Sequence, residues 1–141
     1  MMTIKKDYIL ICENLLADDT GKVTMVNVFD TVYADIVPTF QGSISLVAQL
    51  IVEGSTKADE DKTKVSLKVL NPAKQVILNN EVKIKINSQL PLQKNAIGLQ
   101  LNGMPLESFG TYQFILEWND KKIAQRNLDV VKGGINEARI K

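Results

Sequence analysis

The chain has 141 residues, 45% of them hydrophobic and 23% charged, which is ordinary for one globular domain. Its net charge of +1 lacks the basic excess of nucleic-acid-binding proteins, and no run of about twenty apolar residues predicts a membrane-spanning helix. We therefore expect no nucleic-acid and no membrane partner. The single cysteine, Cys12, and the lack of a signal-peptide pattern predict a cytoplasmic protein.

Short apolar segments alternate with turn signals along the chain, a rhythm that is typical of an all-β sandwich or barrel. Pro38 closes the second segment, and the loop at residues 54–62 carries the charged run Asp59-Glu60-Asp61. The strands are predicted at residues 7–17, 22–36, 41–53, 63–70, 75–86, 96–101, 109–118 and 122–131.

The fourth and fifth segments form a hairpin whose register can be predicted. Its Asn-Pro dipeptide fits a type I turn at residues 71–74. A turn closed between positions 71 and 74 places Val69 opposite Val76 and Lys64 opposite Glu81. This register pairs apolar with apolar side chains and a positive with a negative charge, both of which stabilise an antiparallel pair.

The most informative stretch is the predicted strand at residues 109–118. Tyr112, Phe114, Leu116 and Trp118 occupy alternate positions, so they share one face of the strand and are expected to lie in the core. The hydroxyl of Tyr112 is expected to bond backbone at a sheet corner, as in a tyrosine corner. In the alternative interpretation, Tyr112 and Trp118 form a surface on which a sugar stacks.

The connections between segments are too short for parallel crossovers, and no segment shows strong helical amphipathicity. The sequence therefore predicts an all-β fold, a single antiparallel two-sheet β-sandwich of immunoglobulin-like type with about eight strands. The sandwich domain is assigned to residues 1–134, and residues 135–141 are assigned to a C-terminal tail.

Few residues carry recognisable chemistry. Histidine is absent, which removes the commonest general base and metal ligand, and Cys12 is expected to be a small buried hydrophobe. Two acidic loops could supply oxygen ligands to calcium, although their spacing matches no EF-hand and solvated loop charge explains them as well. The calcium candidates are Asp18, Asp19, Asp59 and Asp61. No cofactor and no catalytic residue is predicted.

Two predicted strands are apolar on both faces, unlike a sandwich strand with one wetted face. They lie at residues 8–12 and 25–29. Part of an outer face is therefore expected to be covered by the tail, by a loop or by another subunit. The candidate interface residues are Ile9, Ile11, Met25 and Phe29.

Three stretches carry a resemblance to a known family. They are GKVTMVNVFD at residues 21–30, Pro38 with Leu46-Val47 after it, and residues 106–116 around FGTYQF. In this order and spacing the chain resembles an uncharacterised family of small bacterial β-sandwich proteins over nearly its whole length. The resemblance implies an immunoglobulin-like fold and assigns no catalytic residues.

These observations predict a non-enzymatic binding or assembly protein that acts through its β-sandwich surface. Its expected partner is a second copy of the chain or another protein. Two alternatives stay open. One is a small-ligand or carbohydrate-binding module, and the other is an enzyme that uses loop carboxylates.

Overall fold

The computed structural model describes residues 1–20 and 22–133, and within them the regular structure is β-strand apart from one short 3₁₀ helix at Lys57–Asp59. The predicted all-β class is confirmed. The assigned tail, residues 135–141, lies outside the described residues. The strands are β1 (Thr3–Ala17), β2 (Val23–Val28), β3 (Thr31–Ala34), β4 (Thr39–Phe40), β5 (Ser45–Glu53), β6 (Lys64–Leu70), β7 (Val76–Lys83), β8 (Leu92–Gln100), β9 (Pro105–Leu106), β10 (Gly110–Trp118) and β11 (Lys121–Lys132).

The described strands form three sheets. The four-stranded sheet has the order β2-β1-β5-β8, the five-stranded sheet has the order β3-β11-β10-β6-β7, and β4 pairs with β9 alone. The prediction of two sheets and about eight strands is therefore wrong, since the described residues contain eleven strands. The segment predicted at residues 22–36 divides into β2 and β3, and β4 and β9 are too short to leave a periodic signal.

The division between β2 and β3 occurs where the chain passes from one large sheet to the other. Asn27 has a φ of 53° and so interrupts the extended backbone near the end of β2. The Phe29 N–H then donates to the Ile11 carbonyl (3.0 Å), and Thr31 pairs with Asp129 of β11. Because the chain changes sheets here, β3 runs parallel to β11, and the prediction of wholly antiparallel pairing is wrong for this pair.

One core lies between the two large sheets. The alternate side chains of β5 that face this core are fully buried, together with Ile44 just before the strand. From β10, Tyr112, Phe114 and Leu116 enter the same core, and Trp118 packs against it half-buried. Complete burial of one large apolar side chain, such as Phe114 or Leu116, stabilises the fold by about 1.5–3 kcal/mol. These buried residues are Ile44 and, from β5, Leu46, Ala48, Leu50 and Val52.

The predicted register of the β6–β7 hairpin is wrong by two residues at Val69, which pairs with Leu78. Lys74 has a φ of 65°, so the turn closes one residue later and the N–H at position 71 bonds the Gln75 carbonyl at 2.9 Å. A β-bulge between Val69 and Leu70 adds the second shift. Positive φ at a lysine and a bulge depend on how the finished strands twist together, so the turn sequence did not reveal them.

Candidate functional site

The four candidate interface residues do not form one surface patch. Ile9 and Ile11 face the core and are 5% and 0% exposed. Phe29 is half-buried against the core beside Ile11, while Met25 lies further along the β1–β2 hairpin, opposite Leu15. The apolar side chains of Ile9 and Ile11 are therefore used inside the chain and offer almost no accessible area to a partner.

The second apolar face of β1 is covered by the chain itself at Cys12, while Tyr8 and Leu10 on the same face stay partly exposed. Val47 pairs with Gly98, so the two residues share the outer face of the four-stranded sheet. A β-carbon on Gly98 would overlap Cδ2 of Leu15, which shows that the distal part of the β1–β2 hairpin lies over this outer face. Cys12 and Val47, on the same face, are almost fully buried. The two-sided apolar pattern thus has an intramolecular explanation at the distal end of the stretch at residues 8–12, around Cys12.

The acidic loops use their carboxylates to shape their own turns. Asp18 Oδ1 accepts hydrogen bonds from the Thr20 N–H (2.8 Å) and the Lys22 N–H (2.9 Å). Asp59 Oδ2 accepts from the N–H (2.7 Å) and the hydroxyl (3.1 Å) of Thr56, which closes the capping box of the 3₁₀ helix.

Two other calcium candidates, Asp19 and Asp61, are exposed. Within residues 1–20 and 22–133, no three His, Cys, Asp or Glu side chains are arranged to hold a metal ion. The geometry of these loops is accounted for by the hydrogen bonds of Asp18 and Asp59.

Cys12 is a buried free thiol at the base of the β1–β2 hairpin. Its Sγ donates to the Asn14 carbonyl at 3.2 Å. Burial raises the pKa of this thiol, and backbone hydrogen bonds at Asn14 and Val26 partly oppose the effect. A reactive cysteine needs the opposite environment, namely exposure and a nearby cation that lowers its pKa. Cys12 is thus placed as a packing residue.

The aromatic residues of β10 do not present a flat stacking surface. Tyr112 is buried, and Trp118 is half-buried against the core. The Tyr112 hydroxyl donates to the Ser108 carbonyl (3.2 Å) and accepts from the Ser108 N–H (3.1 Å), as expected for a tyrosine corner. These contacts assign both rings to the fold.

Among the strands at residues 1–20 and 22–133, β8 pairs on one side only, and its other side, the free edge of β8, was missed by the sequence reasoning. The Leu101 N–H bonds the Ile44 carbonyl (2.7 Å), and the Gly54 N–H bonds the Pro91 carbonyl (3.2 Å). Backbone N–H and C=O groups alternate in direction along a strand, so these two bonds show which residues of β8 bond to β5. The odd-numbered residues direct their backbone groups toward β5. Even-numbered positions direct theirs outward, away from the sheet. They are Leu92, Lys94, Ala96, Gly98 and Gln100.

The other three edge strands of the two large sheets each carry a feature that discourages pairing with a further strand. In β2 the backbone is interrupted by Asn27, and β3 has only four residues. The β7 ladder contains a bulge and carries Glu81 and Lys83. By contrast, all nine residues of β8 pair with β5 without a register shift. Its single charge, Lys94, lies 3.6 Å from the Asp7 carboxylate.

The sequence predicted this strand at residues 96–101, whereas it begins four residues earlier, at Leu92. Gln93 is in fact buried, where its side chain bonds both backbone groups of Asn87 at 3.1 and 2.8 Å. The one signal in the sequence was the alternation of the small residues Ala96 and Gly98 with the larger Asn95, Ile97 and Leu99, which is weak without knowledge of the strand pairing.

In the described part of the chain, no helix has the length and apolar character needed to cross a membrane. Among solved structures, an immunoglobulin-like protein from Pseudomonas aeruginosa is 16% identical, with a TM-score of 0.47 and coverage of 92% of this chain and 97% of that one. A β-glucosidase from Listeria innocua is 7% identical, with a TM-score of 0.47, and this chain spans only 16% of it. No curated protein sequence matches the chain.

A model of a family of unknown function, DUF6941, matches residues 7–131. The match covers nearly all of the described strands, from β1 to β11. The resemblance to an uncharacterised family, seen in the sequence, is thereby confirmed. The chain belongs to DUF6941, a family of unknown function.

Proposed function

We propose that this protein is a non-enzymatic assembly protein that pairs with a second copy of itself through the free edge of β8. The observation that carries the proposal is the regular nine-residue ladder of β8 on β5, which leaves five outward-facing residues on the other side. A long edge strand without proline, bulge or unpaired charge is a template for another strand. Pairing of two such edges would join two four-stranded sheets into one.

The sequence of β8 suits antiparallel pairing with itself. With Ala96 opposite Ala96 of the second copy, Lys94 lies opposite Gly98 and Leu92 opposite Gln100. All these positions direct their backbone groups outward, so each forms a hydrogen-bonded pair. A register centred on Lys94 would instead oppose two ammonium groups, which is unfavourable. The favoured arrangement is a closed two-fold dimer.

The non-enzymatic half of the proposal is supported by the state of the candidate chemical groups. The chain contains no histidine, and its single thiol, Cys12, is buried. The carboxylates of Asp18 and Asp59 are hydrogen-bonded within their own loops. A cytoplasmic location is part of the same proposal, because a free thiol is typical of a reducing compartment.

Proline substitution at Ala96 tests the contact strand. It removes an N–H that faces outward, so the β5–β8 ladder keeps its hydrogen bonds. We expect the native protein to have dimer mass by size exclusion with light scattering, and Ala96→Pro to be a monomer of unchanged circular dichroism.

Asn79→Pro is the matched control on the β7 edge. The Ile84 N–H bonds the Thr63 carbonyl (3.0 Å), which places the Asn79 N–H on the outward side of β7 as well. This variant is expected to keep dimer mass. A native protein that stays monomeric at the highest attainable concentration, or a dimeric folded Ala96→Pro, would overturn the proposal.

A further inference from the structure

A pocket of about 270 Å³ lies at the end of the sandwich where the β6–β7 turn meets β9. The turn packs closely on the start of β10, because a β-carbon on Gly110 would lie 2.9 Å from Cβ of Pro72. Buried Met104 and Tyr112 contribute to its lining. The complete set of lining residues is Asn71, Ile77, Met104, Pro105, Glu107 and Tyr112.

Apolar side chains remain exposed around this pocket. Ile77, which lines it, is 42% exposed. Phe40, which pairs with the lining residue Pro105 from the neighbouring strand β4, is 65% exposed. Ile77 and Phe40 therefore offer apolar area that the described part of the fold does not cover. A ligand with an apolar body would remove this area from water.

One polar group at the pocket is uncommitted. The Asn71 side chain is used by Gln75: its Nδ2 donates to Gln75 Oε1 (3.0 Å), and its Oδ1 accepts from the Gln75 backbone N–H (2.9 Å). The Tyr112 hydroxyl is used by Ser108. Glu107 is exposed and makes no hydrogen bond or ion pair with any residue that the structure describes. The pocket thus combines apolar walls with a single free carboxylate.

The nearby turn lysine does not neutralise this carboxylate. Lys74 Nζ donates instead to Gln113 Oε1 at 2.8 Å. A cationic group on a bound molecule would therefore find an unpaired acceptor at Glu107. An anionic group would be repelled by the same carboxylate.

We propose that this pocket binds a small organic cation, namely an ammonium group attached to an apolar ring or short chain. An apolar cavity of about 150 Å³ is large enough for benzene, so the present pocket accommodates one ring and a short aminoalkyl arm. The ring contacts Ile77, Pro105 and Met104, and the ammonium group pairs with Glu107. The site lies outside β8, so it does not depend on the dimer proposed above.

Phenethylamine is the probe, followed by amide chemical shifts of the isotopically labelled full chain. For a ligand of about nine heavy atoms we expect millimolar affinity, with the largest shifts at Ile77, Met104 and Glu107. Phenethyl alcohol, which keeps the ring and lacks the charge, is expected to bind more weakly. Phenylacetate is expected to bind least, because its charge has the sign of Glu107.

Two variants locate the interaction. Glu107→Gln is expected to weaken phenethylamine binding by up to about fivefold, the range of one exposed charge pair, and to leave phenethyl alcohol unaffected. Ile77→Thr is expected to weaken both ligands, whereas Val76→Thr, an exposed neighbour outside the lining, leaves both unchanged.

Three results would overturn the proposal. The first is the absence of shifts at the pocket residues at millimolar phenethylamine. The second is equal binding of the amine and the alcohol in both the native chain and Glu107→Gln. The third is a set of shifts centred on Trp118, at the opposite end of β10 from Gly110.

Discussion

The hydroxyl of Tyr112 bonds both backbone groups of Ser108, donating to its carbonyl at 3.2 Å and accepting from its N–H at 3.1 Å. The ring of Tyr112 is buried in the core, four residues further along the chain. The pair therefore fixes the path by which the chain leaves β9 and enters β10. That path also positions Glu107 at the proposed cation pocket.

Tyr112→Phe keeps the ring and removes this corner. The Ser108 N–H and carbonyl are then left without their partner, so we expect a loss of about 1–3 kcal/mol in the free energy of unfolding. Tyr33→Phe is the control, because Tyr33 is exposed and half of its surface contacts water. Urea unfolding of both variants checks the prediction, and equal stabilities would contradict it.

Gly98→Ala tests whether Leu15 really covers the outer face. The added methyl group overlaps Cδ2 of Leu15, so the hairpin must shift, and overpacking of this kind costs about 1–3 kcal/mol. Gly42→Ala is the matched control, because its β-carbon meets nothing within 4 Å. In a double-mutant cycle, Leu15→Ala is expected to reduce the penalty of Gly98→Ala. Independent, additive effects would contradict the contact.

Asp59→Ala tests the capping role of this calcium candidate. The change removes two hydrogen bonds to Thr56, and loss of such a cap destabilises a protein by about 0.5–2 kcal/mol. Asp61→Ala, two residues away and exposed, is expected to change stability by less than about 0.5 kcal/mol. Thermal unfolding in the presence and absence of calcium chloride distinguishes a capping role from a calcium-binding role. If Asp59 were a calcium ligand, the stability lost in Asp59→Ala would depend on calcium.

The buried thiol of Cys12 makes the free energy of unfolding depend on pH in the alkaline range. Burial raises the pKa of its thiol above the unfolded value of about 8.5, so the unfolded chain loses this proton first as pH rises. The contribution of the protonated, buried thiol to the free energy of unfolding is therefore fully present below about pH 8.5, and it declines as pH rises toward the pKa of the folded state.

Native protein is expected to lose more stability between neutral and alkaline pH than Cys12→Ala, measured by urea unfolding at each pH. Labelling by a thiol reagent is expected to be slow in the native state and fast in urea. A native chain that reacts as fast as a free thiol would contradict the buried position.

The residues that alternate along single strands determined the fold class and most of the core. Tyr112, Phe114 and Leu116 were predicted to be buried and are buried. Period-two alternation is a local property of one strand in contact with water on one side, so it can be read without knowing the partners. The tyrosine corner followed for the same reason, since it joins residues four apart.

Pairing between strands was decided only by the tertiary structure. The turn at residues 71–74 was located correctly, but Lys74 and the bulge at Val69 moved the register by two residues. Strand β3 joined β11 in parallel because the chain changed sheets after Asn27. The register of β6 with β7 and the direction of β3 depend on how both sheets pack together. The interactions within one short stretch of sequence contribute little to that packing energy, so they do not reveal the pairing.

The same division applies to the candidate sites. The sequence identified more apolar residues in β1 than one face needs, and the structure placed Ile9 and Ile11 in the core and buried Cys12 on the outer face. It also placed the free edge at β8 and brought Ile77 and Glu107 to one pocket from distant parts of the chain. Alternation along a strand is set by local backbone geometry. Edges and pockets arise from which strands become neighbours, and only the folded chain specifies that.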